Sequence, residues 1–192
     1  MTRLILASTS PFRKTILEKL SIPFETMDPQ VDEAVIAGET PSQLVERLAK
    51  AKASAVASTL SDGLVIGSDQ VAVIDNVILG KPGSHDKAFE QLKHASGHSV
   101  MFLTGLCLIN AANGHRQSEV IPFEVIFRHL TDSQIEHYLQ REQPYQCAGS
   151  FKSEGLGIAL FERLQGEDPN TLIGLPLIRL IRMLENEGMM VL

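Results

Sequence analysis

Short apolar runs alternate along this chain with capped segments of helical period, and that alternation restricts it to an α/β architecture. Residues 3–7 read as a short buried strand that runs straight into Ser8-Thr9-Ser10-Pro11. Ser10 is a good N-cap and Pro11 suits the first helical position, after which Ile16, Leu17 and Leu20 form a helical stripe. "PFETMDP" predicts a second strand closed by proline. The clearest helix is "TPSQLVERLAKAKASAVAS", capped by Thr40 or Ser42, with Leu44, Leu48, Ala51 and Ala55 at helical spacing. "LVIGSDQVAVIDNVILGKP" predicts two apolar strands joined by a hairpin turn at Asp75-Asn76. "SHDKAFEQLKHASG" predicts a capped helix ended by Gly97, followed by two longer strands, "SVMFLTGLCLINAANG" and "SEVIPFEVIFRHL", around Asn113-Gly114. "TDSQIEHYLQRE" predicts a short capped helix, and "NTLIGLPLIRLIRMLENEG" a single final helix that tolerates Pro176 near its start. With no internal repeat and no low-complexity linker, one α/β domain over residues 1–192, built as two lobes, is expected.

A chain of 192 residues is long enough to bury a sizeable core. Its formal net charge of −6 argues against a nucleic-acid polymer as partner, because neutralising a phosphate backbone needs a basic surface. A small anion held by a few converging basic groups remains admissible. Cys107 and Cys147 are the only cysteines and form no metal-type pair, which fits free thiols in a reducing cytosol. The apolar run Leu4–Ala7 is too short for a signal-peptide core, and Pro176, Arg179 and Arg182 interrupt "LIGLPLIRLIRML", so neither export nor a membrane span is expected. His94 and His98 are four apart, but Gly97 ends the helix between them, and no histidine metal site is expected.

Chemistry is sought in the polar residues that the pattern strands among apolar neighbours. Asp69, in "LVIGSDQVAVI", lies between two apolar runs. Burying even an uncharged polar group without a partner costs about 2–7 kcal/mol, so Asp69 needs a partner. It either accepts backbone hydrogen bonds at a bulge beside Gly67 or serves a site. Lys81, in "LGKP", presents a cation just after a strand, without the spacing of a phosphate-binding Gly-rich loop. Asp32 and Glu33 are adjacent acids in a loop-like stretch. At the opening junction, first-turn N–H groups, the helix dipole, the Ser8, Thr9 and Ser10 hydroxyls and Arg13 supply the parts of an anion cradle; a plain helix cap would use the same residues. The combination of that junction with Lys50, Lys52 and Lys81, and with Glu33 and Asp69 able to hold a divalent ion or activate water, fits phosphoryl chemistry on a nucleotide.

The segments "LASTSPFRKTILEKL", "VDE", "LAKAKA", "IGSDQV", "GKP", "HSVMFLTGL", "EVIPFEVIFRHL", "CAGSFKSEG" and "NTLIGLPL" resemble, in this order, the signature segments of the Maf family of nucleoside triphosphate pyrophosphatases. The likeness runs from about Leu4 to Leu177. It implies a fold like the inosine-triphosphate pyrophosphatases, a mixed elongated sheet with flanking helices and a central cleft between two lobes, often as a homodimer; the cytoplasmic location is expected from the free cysteines and the lack of a signal or membrane span. The implied reaction is hydrolysis of a nucleoside triphosphate to monophosphate and pyrophosphate, assisted by a divalent cation such as Mg²⁺, Mn²⁺ or Co²⁺. By motif, Asp69 would be the catalytic acid and a metal ligand, Glu33 would share the metal, and Ser8, Ser10, Arg13, Lys52 and Lys81 would hold the phosphates.

The departures from the pattern bear on the base. The branch resembling dTTP and UTP enzymes reads Ser-Pro-Arg-Arg at the opening, Ser-Asp-Thr centrally and glutamine in the late loop; this chain has Phe12, Gln70 and Glu154 there. A 7-methylated guanine carries delocalised positive charge and stacks well on an aromatic face. A carboxylate accepts from its N1–H and N2 amino group. Phe12, Gln70 and Glu154 therefore point to the 7-methyl-GTP branch of the family. The alternatives are a dTTP/UTP pyrophosphatase, or a non-catalytic nucleotide-binding regulator of cell division. The bland reading of the same residues has Phe12 packed internally and Glu154 as a surface acid.

Overall fold

The chain leaves its first strand where Ser10 and Pro11 require. In the computed structural model, which describes residues 2–192, β1 (Leu4–Ala7) is buried along its length and α1 (Pro11–Glu18) starts at the proline. Ser10 keeps an extended backbone, and its hydroxyl accepts the Arg13 N–H at 3.4 Å. β1 runs parallel to both β2 (Glu25–Met27) and β3 (Leu64–Ile74), as crossovers through helices allow. The second crossover is α2 (Pro41–Ala57), whose cap is Thr40 rather than Ser42, in a reciprocal box with Gln43.

These parallel strands are covered on both faces, and their alternation assigns the covers. Leu4, Leu6, Leu64 and Ile66 join Ile16 and Leu17 of α1 and Leu180 and Leu184 of α6 (Leu177–Asn186). Ile5, Ala7 and Val65 face Ala49, Ala53 and Val56 of α2. α2 lies so close that a Cβ on Gly67 would collide with the Ala49 carbonyl and the Ala53 amide, and one on Gly105 with the Val45 carbonyl. Small residues on both surfaces therefore set the depth at which α2 sits.

The sheet has seven strands in the order β2-β1-β3-β5-β6-β7, with β4 (Val77–Leu79) added to β3. β5 is Ser99–Asn110, β6 is Arg116–Phe127 and β7 is Phe161–Gln165. The sequence pattern predicts no strand over 161–165, because "FERLQ" shows no clean alternation; β7 is an edge strand, antiparallel to β6, where one face is free to be polar.

The chain divides into two compact units. The first comprises the chain up to Gln70, Thr104–Ile121 and Asp168–Leu192, and holds the two-faced core just described. The second comprises Val71–Leu103 and Pro122–Glu167. In the second, Asp75 and Asn76 take φ of 48° and 63° and turn β3 into β4, the predicted hairpin in its I′ form. Helices α3 (His85–Ala95) and α4 (Asp132–Glu142) bury Leu92, Ile135 and Leu139. Phe102, Phe127, Phe151 and Phe161 pack edge to face with ring centroids 4.9–5.6 Å apart.

The predicted final helix is two helices, α5 (Asn170–Ile173) and α6. Gly174 takes φ 114° as a left-handed cap, and Pro176 is extended and opens the next helix. Glycine ends a helix in this way, and the residue before proline is driven out of helical geometry. Buried Asp168 spans the break, one oxygen accepting from the Asn170 N–H at 2.8 Å and the other from the Ile178 N–H at 2.9 Å. Cys107 and Cys147 are free thiols, and burial pushes the Cys107 thiol up to about 11. Among the described residues no helix is long and apolar enough to cross a membrane.

Candidate functional site

Asp69 has the partner that its burial demands. Its Oδ1 lies 2.7 Å from the Lys52 Nζ, and that ammonium is also 2.6 Å from the Glu33 Oε1. Lys52 is itself only 5 % exposed, on the α2 face that carries Ala49 and Ala53 onto β3, so α2 delivers its cation to the acid of the neighbouring strand. Arg13 completes the charge cluster. Burial pulls its guanidinium below the ordinary arginine value, while the negative charge of Asp69 and Glu33 pushes it back up. Its Nε donates to the Gly174 carbonyl at 3.0 Å.

At the opening junction, Ser8 is buried and its Oγ accepts the Ser10 N–H at 3.1 Å. Ser10 caps α1 in turn. Both hydroxyl groups therefore keep a proton to donate while their oxygens serve the backbone. Phe12 is 40 % exposed beside them, so it is not packed internally.

Gln70 turns inward. Its Nε2 donates to the Thr104 Oγ1 at 2.8 Å and to the Thr171 carbonyl at 2.6 Å, and Thr104 also donates to that carbonyl. Ser68 donates to the Gly174 carbonyl at 2.9 Å. Ser68, Thr104, Thr171 and Gly174 thus hold Arg13 and Gln70 in place, and the sequence reading names none of them. Thr104 was open to the argument applied to Asp69, being a polar residue inside "VMFLTGLCL". Gly174, two residues before a proline, carried a helix-stop signal.

Lys81 and Glu154 belong to the second unit. Lys81 is exposed beside α3 and lines a groove with Gly80, Pro82, Asp86, Lys87, Glu90 and Gln91. Its loop is fastened to the loop that carries Glu154: the Gly83 N–H donates to the Tyr145 carbonyl at 2.9 Å, and His85 bridges the Tyr145 hydroxyl and Glu136 at 3.1 and 2.9 Å. Glu154 is exposed, with the Ser153 hydroxyl 3.4 Å from its carboxylate.

Among the described residues no group of three or more His, Cys, Asp and Glu is placed to hold a metal ion. Two carboxylates that converge on one ammonium are nevertheless the donor set expected for Mg²⁺ or a similar hard ion, which is usually bound by one or two carboxylates, waters and substrate phosphates. Asp69 and Glu33 fit such an ion. Chemically, the first unit offers a buried acid, two hydroxyl donors at a helix start, and two cations, which suits attack of water on a phosphoryl group.

Comparison with known proteins agrees with this chemistry. The family model described as Maf-like protein matches residues 3–187. A protein of Nitrosococcus oceani named 7-methyl-GTP pyrophosphatase is 57% identical over 189 residues, covering 98% of this chain and 95% of that protein. Among solved structures, a HAM1 protein of Coxiella burnetii aligns with a TM-score of 0.43 and 14% identity over 66% of this chain and 73% of that one. The Ham1 protein of Staphylococcus aureus aligns at 0.41 and 16% over 68% and 73%. These two structural likenesses are too slight to reason from.

Proposed function

Because the chain belongs to the Maf family, we propose that it is a nucleoside triphosphate pyrophosphatase that hydrolyses 7-methyl-GTP to 7-methyl-GMP and pyrophosphate, removing a modified nucleotide from the pool. The observation that carries the reading is the buried Lys52–Asp69 pair with Glu33 and Arg13 around it, in a chain 57% identical to a protein of that name.

Asp69 accepts the proton of the water whose oxygen attacks the α-phosphorus. The bond from that phosphorus to the bridging oxygen breaks, and pyrophosphate leaves with its charge offset by Arg13, Lys52 and Lys81. Ser8 and Ser10 hold phosphate oxygens at the start of α1. Asp69 and Glu33 would hold a divalent cation, Mg²⁺, Mn²⁺ or Co²⁺, which would supply Lewis-acid stabilisation of phosphoryl charge. Phe12 stacks on the methylated base and Glu154 accepts from its Watson–Crick edge. Gln70 acts through Thr104 and Thr171, which its amide hydrogens bind. The protein is read as cytoplasmic and homodimeric, with no nucleic-acid polymer and no membrane as partner.

The test is a panel of nucleoside triphosphates, including 7-methyl-GTP, GTP, dTTP and UTP, assayed for pyrophosphate release with and without Mg²⁺. Preference for 7-methyl-GTP is expected. Preference for dTTP or UTP would move the chain to the sister activity, and no release from any member would favour a non-catalytic regulator.

A further inference from the structure

The seat proposed for the metal already holds a cation of the protein's own. The Lys52 ammonium stands 2.7 Å from Asp69 Oδ1 and 2.6 Å from Glu33 Oε1, and the side chain is 5 % exposed. A dication and an ammonium that share two carboxylates at such distances repel each other, and the repulsion is screened only in part, because Lys52 and Asp69 are buried while 61% of the Glu33 side chain is exposed. Metal entry therefore requires the lysine to move. Lysine is suited to that role, because its charge is compact and its four-carbon stem is flexible. The charge it would turn to is the triphosphate, the ligand assigned to Lys52 above.

We infer that Lys52 is a resident counter-ion that keeps divalent metal out of the Asp69–Glu33 seat until a triphosphate draws its ammonium away, so that metal binding is conditional on substrate. The inference rests on the proposed reading that Asp69 and Glu33 hold the metal. It gives Lys52 two successive partners: the carboxylates in the empty enzyme, the phosphates in the loaded one. It also explains why a chain would bury a lysine against its own catalytic acid. Without the ammonium, the two carboxylates would lose the cation in contact with both and keep the Arg13 charge nearby, and an adventitious metal ion would settle there more readily.

The experiment is a titration of Mn²⁺ into the nucleotide-free full-length protein, with free Mn²⁺ followed by electron paramagnetic resonance. Wild type is expected to bind weakly. Lys52→Met is expected to bind about ten- to a thousandfold more tightly, the range by which one neighbouring unit charge moves a titration. Lys52→Arg, which keeps the charge, should stay weak, and Glu33→Gln added to Lys52→Met should abolish the gain. Equal affinities of wild type and Lys52→Met overturn the inference. Micromolar binding by nucleotide-free wild type overturns it too, and that arm needs no variant to fold. Because no turnover is read, these outcomes are separate from the nucleotide panel: release of pyrophosphate alongside tight metal binding by the empty enzyme would sink the counter-ion role and leave the activity standing.

Discussion

In the proposed mechanism a single carboxylate, Asp69, carries the proton transfer. Asp69→Asn keeps the shape and removes the charge, and Lys52 retains Glu33 at 2.6 Å, so the pair is weakened without a buried ammonium being orphaned. Folding is therefore expected to survive in a denaturant titration, while turnover of 7-methyl-GTP falls by about 10²–10⁴-fold, the usual yield of a positioned proton acceptor. Undiminished pyrophosphate release would remove Asp69 from the mechanism. Base choice is proposed to rest on three other residues. Phe12→Arg, Gln70→Thr and Glu154→Gln together are expected to shift preference toward pyrimidine triphosphates, read as the ratio of kcat/KM values. Gln70→Thr alone should act differently from the other two. It removes hydrogen bonds to Thr104 and Thr171, so part of its effect belongs to the placement of α5. At this scale Asp69 was legible because a charge inside an apolar run has to be explained. Its partner was less so: Lys50 and Lys52 look alike in "LAKAKA", yet Lys50 makes a half-buried pair with Glu46 four residues back at 2.5 Å, whereas Lys52 turns inward.

At the scale of elements, helix starts were legible, and the α5–α6 break was missed although Gly174 carried a stop signal. Ser10, Thr40 and Thr131 each cap a helix through a side-chain oxygen, a local rule that sequence carries in full. The α5–α6 break depends on neighbours far along the chain. The Gly174 carbonyl receives Arg13 from α1 and Ser68 from β3, and Asp168 ties down both helices. Apolar periodicity alone runs through Pro176 and reads the segment as one helix. The break gives the site an acceptor at left-handed Gly174, whose carbonyl takes both the Arg13 and the Ser68 hydrogen bonds. Gly174→Ala should therefore have two separable effects. Forcing a side chain to φ 114° costs about 1–3 kcal/mol, read in a denaturant titration. The carbonyl would also tilt away from the Arg13 Nε, so KM for the triphosphate is expected to rise more than kcat falls. A pure loss of stability with unchanged kinetic constants would show that Arg13 does not need this anchor.

At the scale of the whole molecule, alternation of strands and helices announced an α/β protein and the family resemblance implied a mixed sheet, and the seven-stranded order with its parallel β1, β2 and β3 agrees with both. The composition of the two units was not legible, because β3, β5 and β6 each contribute residues to both and no linker marks the change. The proposed substrate contacts are divided in the same way: Ser8, Ser10, Arg13, Lys52 and Asp69 lie in the first unit, Lys81 and Glu154 in the second. A ligand that touches only one unit stabilises that unit, whereas one that engages residues of both lowers local opening in both. Hydrogen exchange with a non-hydrolysable analogue of 7-methyl-GTP is thus expected to slow amide exchange at the start of α1 and around Asp69, and also in the Lys81 loop and the 143–155 loop. GTP analogues should keep protection around Glu154, because guanine presents the same N1–H and N2 amino group, and weaken it around Phe12, which is proposed to stack on the charged methylated ring; UTP analogues should lose the protection around Glu154. Protection confined to the first unit would strip Lys81 and Glu154 of their roles and leave phosphate binding to α1, Lys52 and Arg13 alone. The selectivity for the base would then have to come from Phe12 and its neighbours in the first unit.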